Sequence, residues 1–345
     1  MFGFALLGIG ALLGGAWQTL LPAQRLVKPL HWLQLGVIAA LVYGLPILFL
    51  LLSTLLATTV RGQSLLAANL PLPDGATGYL PFILQRWSSQ FGTFLIVGGL
   101  LVLVLWLSWR YLGFFGVSAE QDDEQTRAQV TTLFVLLLAA VGLLLAFAPE
   151  FVFLRDNFGT RMNTVFKFYY QAWLLFGLAL SYALVVALAN WKVTTPLGLG
   201  TNVCALLSLI LALSGVIFPL AATYSKTGGF AATPTFDATA YLVQQGPAEL
   251  AAANWVRAHT PPDALVVEGK GASYYANYNR MSTLTGRPTL LGWDGHESQW
   301  RGKAYGEMAQ GRVEALATLY HSLSPDEITQ ILNTWQIDYV YVGPT

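Results

Sequence analysis

The chain has 345 residues, of which 55% are apolar and only 10% charged, with a mean hydropathy of +0.54. A soluble domain carries about 25% charged residues, so the deficit excludes an ordinary soluble protein. A net charge of zero gives no footing for a nucleic-acid partner, and the single cysteine, Cys204, excludes an intrachain disulfide.

A hydrocarbon core of about 30 Å takes about 20 apolar residues per helix. Six stretches qualify: about 2–21, 33–60, 93–115, 130–148, 165–189 and 197–222. The first has no basic segment before it and no cleavage site after it, which argues against a signal peptide. Gly44 and Pro46 predict a kink in the second. Between the second and third, residues 71–89 combine Pro and Gly turns with an amphipathic apolar patch that reads as interfacial. The acidic stretch QDDEQ, residues 121–125, reads as a solvated loop.

After Tyr224 the character changes. Residues 225–345 hold no spanning run, and "PAELAAANWVRAHTPPDA" reads there as a helix closed by Pro261-Pro262. "ALVVEG", "PTLLGW" and "DYVYVG" read as short strands, and "SPDEITQILNTW" as a helix capped near Ser324. The expected fold is therefore a polytopic α-helical membrane protein with about six transmembrane helices over 1–224, followed by a small α/β domain over 225–345. The chain stops directly after its last strand pattern, so that domain reads as cut short.

Orientation follows from lysine and arginine near the helix ends. Arg25, Lys28, Arg110, Arg127 and Lys192 lie on one side, and Arg61, Arg86, Arg155 and Arg161 on the other. Five against four places the first set in the cytoplasm. The N-terminus, loops 61–92 and 149–164, and the C-terminal domain are then extracytoplasmic, in a multi-pass protein of the cell membrane. An outward N-terminus without a signal peptide fits Met1 as an internal cut or a mis-called start.

Two constellations carry candidate chemistry. "RDNFGTRMNTVFKFYYQAW", residues 155–173, gathers Arg155, Asp156, Arg161 and Lys167 at the lip of a membrane helix. At helical spacing, Asn163, Lys167, Tyr170 and Gln171 form one polar stripe. Lys167 alone fits a snorkelling anchor beside an aromatic belt. The ensemble fits a docked phosphate, because guanidinium groups fork onto it and a helix N-terminus adds free N–H donors. The second constellation, residues 274–302, holds Asn279, Arg280, Arg287, Asp294, His296, Glu297, Gln299, Trp300 and Arg301. Trp300 stands where a zinc-protease pattern needs a second histidine after His296, so no metal site is expected, and a divalent cation stays a minor option. Indole, guanidinium, amide and carboxylate suit a surface that contacts sugar or phosphate; a structural salt-bridge network is the other reading.

At these two motifs, "RDNFGTRMNTVFKFYYQAW" and "STLTGRPTLLGWDGHESQWRG", the sequence resembles the YYY-type membrane proteins, a very hydrophobic family grouped with the C-type glycosyltransferases. Members are about twice this length, so the chain resembles their C-terminal half. The resemblance implies transfer of a sugar from a polyprenyl-phosphate carrier at the outer membrane face, with an acidic residue in an outward loop as base or metal ligand. Loop 61–92 offers only Asp74, which departs from that pattern. The candidate catalytic residues are therefore Asp156, Glu150, His296 and Glu297, and the expected partners are the bilayer and a lipid-linked sugar phosphate. Arg155, Arg161, Asn163, Lys167, Tyr170, Gln171, Arg280, Gln299, Trp300 and Arg301 are the expected substrate contacts. A transporter or flippase for an anionic or lipid-linked substrate would use the same cations without chemistry, and a non-catalytic assembly subunit would need no site.

Overall fold

A computed structural model describes residues 2–20, 27–69, 72, 75–113, 123–154, 160–191, 193–231, 233–271 and 278–343. Arg155, Asp156, Asp74 and part of the 121–125 stretch lie outside the described residues. The chain divides into two compact units, Met1–Thr227 and Gly228–Thr345.

The first unit is helical. Its elements are α1 (Phe2–Thr19), α2 (Pro29–Ala57), α3 (Val60–Asn69), α4 (Tyr79–Leu112) and α5 (Asp123–Phe147). A 3-10 turn over Ala148–Glu150 follows, then α6 (Met162–Ala189) and α7 (Pro196–Lys226). Among the described residues, five spans are long and apolar enough to cross a membrane: Pro29–Ala57, Tyr79–Leu112, Thr126–Glu150, Met162–Ala189 and Pro196–Lys226. The protein is a polytopic helical membrane protein.

The remaining apolar helix, α1, is the shortest of the apolar set and one of the most buried. At 1.5 Å per residue its 18 residues reach about 27 Å. It packs against α7, α6, α4 and α5, burying Ala5, Ile9, Ala11, Leu12 and Ala16. Its glycines make that approach possible: a Cβ on Gly14 would stand 2.0 Å from Thr201 Oγ1, and one on Gly8 2.9 Å from Leu180 Cδ1. Small residues at helix contacts are how membrane helices gain packing when lipid already solvates their side chains. By contrast α2 is almost wholly uncovered and leans on α4, where Tyr43 lies over Gly98 and donates to Leu95 O at 2.9 Å.

One helix departs from the expected spans. The third starts at Tyr79 rather than near 93, so the stretch read as interfacial is half helix. Pro81 does not prevent this, because a first-turn N–H has no intrahelical acceptor to lose. At 34 residues, about 51 Å, α4 exceeds the hydrocarbon thickness, and its first turns bring Arg86 and Trp87 to the rim of the bundle.

The second unit contains α8 (Leu242–Gln245), α9 (Pro247–His259), β1 (Val266–Val267), α10 (Arg280–Thr285), α11 (Asp294–Arg301), α12 (Ala304–Ala309), α13 (Arg312–His321), α14 (Pro325–Trp335) and β2 (Tyr339–Val340). The two strands pair in parallel, Val266 with Tyr339 and Val267 with Val340. Val266 packs with Ala253, Val256 and Met281 on one face, and Val267 with Leu290, Leu316 and Leu319 on the other. Helices thus cover both faces of a minimal sheet, as parallel pairing requires. The strand expected over 288–293 does not form. Its contact with β1 is Val266 N donating to Pro288 O at 3.0 Å, and a proline has no N–H to extend a ladder. Ser324 caps α14 through Glu327 N, where the sequence placed it.

Candidate functional site

A cluster of charged side chains in the first unit forms where α5 ends. Pro149 tightens the chain into the 3-10 turn, which carries Glu150 inward to 8% exposure. Arg161, the residue before α6, sets Nη1 2.7 Å from Glu150 Oε2 and also reaches Pro149 O at 3.4 Å. Two turns along α6, Tyr169 donates to Glu150 Oε1 at 3.3 Å. From α4, Arg86 Nη2 donates to Glu150 O at 3.4 Å and lies in electrostatic reach of both Glu150 and Arg161. The loop's return is pinned by Leu154 N donating to Thr164 Oγ1 at 2.9 Å. Among the described residues, one carboxylate thus pairs with the Arg161 guanidinium and has that of Arg86 nearby, two cations to one anion. A charge at membrane depth is costly unless it pairs or meets a ligand.

Beside the cluster stands a wall of rings. Phe94, Phe147 and Phe151 meet at centroid distances of 4.8–5.9 Å, and Trp87 lies 5.3 Å from Phe151. From that wall an apolar groove of about 660 Å³ runs between α2, α4 and α5. Leu41, Leu45 and Phe49 line it on one side, Leu101 and Leu105 at the back, and Leu137, Val141 and Leu144 on the other. Ala148, Phe151 and Val152, the neighbours of Glu150, line its end.

Of the residues the sequence singled out, the fold brings Glu150 and Arg161 together. Lys167, Tyr170 and Gln171 lie on the exposed side of α6, away from that pair, and Asn163 is half-buried. The first three are exposed along α6 together with Met162, Phe166 and Trp173. Arg86 and Tyr169 were missed as site residues. Arg86 is 64 positions from Glu150, and Tyr169 sits in an aromatic run where a belt residue and a buried donor look alike.

In the second unit, Arg280 pairs with Glu249 through Nε–Oε1 at 2.9 Å and through Nη2–Oε2. Arg301 pairs one turn back with Glu297 at 2.5 Å, while Gln299 and Trp300 are exposed. Asp294 holds Lys270 at 2.6 Å and accepts from Tyr305 at 3.0 Å. His296 lies against the Trp293 ring at 5.5 Å. Arg287 is spent on Thr260 and Arg257 carbonyls. Glu268, which sequence reading did not single out, is 5% exposed and accepts from Met281 N at 2.8 Å. Burial, opposed by that bond and reinforced by the neighbouring Glu249, pushes its carboxyl up to about 7. Among the described residues, no group of three or more His, Cys, Asp or Glu side chains is gathered as metal ligands.

The cluster and the groove both lie within residues 2–176, the span that matches the model of an uncharacterized membrane protein family, DUF2298. The chain belongs to that family. The match covers α1 to α5 and the first half of α6, so Arg86, Glu150, Arg161 and Tyr169 all fall inside it, whereas the second unit falls outside. No curated protein and no solved structure matches the chain.

Proposed function

We propose that this protein handles a lipid-linked sugar phosphate at the outer membrane face, as part of a glycosyltransferase-like machine. The observation that carries the reading is the joining of two features in one unit: a cluster with surplus guanidinium charge, and an apolar groove that ends on it. An amphiphile with a phosphate head and a long hydrocarbon chain matches both at once. The phosphate would take Arg86 and Arg161, which fork onto anions, and the chain would lie along α2 and α5. Glu150 would lose its guanidinium partner as the phosphate arrives, which leaves a carboxylate beside the reacting head group. The likeness of two motifs to the YYY-type proteins, and through them to C-type glycosyltransferases, supports the sugar as the transferred group. The extracytoplasmic placement rests on the arginine and lysine balance.

The test is photocrosslinking of the purified chain in nanodiscs with a photoreactive polyprenyl phosphate. Saturable labelling on α2, α5 and residues 147–154 is expected, competed by unlabelled polyprenyl phosphate. One hydrogen bond to a charged group is worth about 1.5–3 kcal/mol, so Arg86→Ala and Arg161→Ala should each weaken capture about 10- to 100-fold. Labelling spread evenly over the outer face of α7 would sink the reading. Saturable capture with flipping across a sealed vesicle, and no sugar transfer when acceptor and donor are both supplied, would replace the enzyme with a transporter.

A further inference from the structure

We propose that the start of the second unit is a membrane contact of its own, with Phe236 as its insertion point into the phospholipid interface. The last apolar helix, α7, ends at Lys226 with an exposed Tyr224 two residues earlier, a Tyr–Lys pairing of the kind that marks a membrane interface. Gly228, Gly229 and Phe230 take three successive left-handed conformations, φ +59°, +72° and +64°. The two glycines adopt this freely, whereas phenylalanine does so against its preference, so the turn is strongly specified.

The next residues are unusual for a watery linker. Phe236 is fully exposed, Phe230 is 68% exposed, and Val243 and Tyr241 show 62% and 47%. The one acid among them, Asp237, is folded back on its own chain, accepting from Thr239 N at 2.8 Å and Thr239 Oγ1 at 2.6 Å. That turn fixes the backbone beside Phe236, so the ring is presented on an ordered corner. Large exposed apolar groups on a soluble surface mark a partner. Here continuity with a spanning helix names it, because Phe236 follows Lys226 by ten residues and cannot stray more than about 35 Å even fully extended. A lipid surface accepts an aromatic ring without shape complementarity, and aromatic side chains favour the headgroup level. The contact goes beyond the sugar-phosphate reading and does not depend on it: it tethers the second unit to the bilayer surface whatever that unit binds.

The experiment uses the full chain in phosphatidylcholine nanodiscs, with Cys204→Ala as background and a nitroxide placed by Phe236→Cys. Asp263→Cys, on an exposed loop between α9 and β1, gives the aqueous reference. Label 236 should be relaxed more by oxygen than by a water-soluble nickel chelate, at headgroup depth, while label 263 shows the reverse. Equal behaviour at the two positions overturns the proposal, as does protection of 236 from both reagents, which would mean that protein covers it. As a second measurement, Phe236→Asp should raise amide exchange over residues 233–241 in nanodiscs several-fold. Unchanged exchange there counts against the contact.

Discussion

At the residue scale, two buried glutamates behave differently because of what faces them. The Glu150 carboxylate accepts from the Arg161 guanidinium and the Tyr169 phenol. Glu268 has no cation within hydrogen-bond contact among the described residues, and desolvation dominates. Its folded pKa, about 7, lies above the ordinary 4.5. The protonated form is thus favoured in the folded state. Its contribution to stability is fully present below pH 4.5 and is lost as pH rises through 7. A displacement of that size corresponds to roughly 3 kcal/mol. Glu268→Gln stays neutral, and its amide oxygen can keep the bond from Met281 N. Exchange of the Val266 and Val267 amides in the full chain, followed from pH 5 to 8, should show falling protection in the wild type and a flat profile in the variant. At pH 8 the variant should be the better protected of the two. Parallel profiles would assign the pH dependence to another group.

Glu150 gives the complementary prediction. Arg161→Ala leaves a buried carboxylate without its closest cation, a loss of about 3–5 kcal/mol for a buried pair, whereas Arg161→Lys keeps the charge. Thermal unfolding in detergent should rank wild type above Lys and Lys above Ala. If Ala and Lys unfold together, the pair is a surface contact of little worth.

At the element scale, the long apolar runs were legible because hydropathy alone specifies a spanning helix. What sequence missed lay where composition and geometry part. The first turns of α4 read as loop because Gln85, Arg86, Ser88, Ser89 and Gln90 dilute the apolar signal, although nothing there stops a helix. A third strand was read from "PTLLGW", but Leu290 and Leu291 are buried as loop residues under α13 rather than as a ladder. Half of the candidate site was visible, since Glu150 and Arg161 are close in sequence. Arg86 and Tyr169 join them only through the packing of α4 and α6 on α5. The weight carried by α1 was also hidden: its glycines lower helix propensity, and only the contacts explain them. Gly14→Ala should force Thr201 out of its rotamer and cost about 1–3 kcal/mol, and Thr201→Ala in the same chain should restore most of it. A drop in melting temperature for Gly14→Ala that Thr201→Ala leaves untouched would mean the helices meet elsewhere.

At the scale of the whole molecule, connectivity fixes which ends share a side of the bilayer. Thr19 Oγ1 lies 2.8 Å from Tyr111 OH, Gln129 Nε2 donates to Thr19 O, and Trp106 Nε1 donates to His31 O. The end of α1, the start of α2, the end of α4 and the start of α5 therefore meet at one rim. Arg86, Glu150 and Arg161 meet at the other. The α6 and α7 helices are both long enough to cross, and two crossings would bring the chain after Lys226 out on the side where α6 begins. The proposed function needs that side to be the outer one, as the lysine and arginine balance leads one to expect. In a Cys204→Ala background, Thr160→Cys and Ser225→Cys should react with an impermeant maleimide on intact cells, and Glu124→Cys only after permeabilisation. All three sites are exposed and outside the charge balance being tested. The reverse pattern would place the cluster in the cytoplasm, where the same cations would meet a carrier before it is flipped. Reaction at 160 without reaction at 225 would show that α6 or α7 does not cross, and the groove would then need a different bilayer plane.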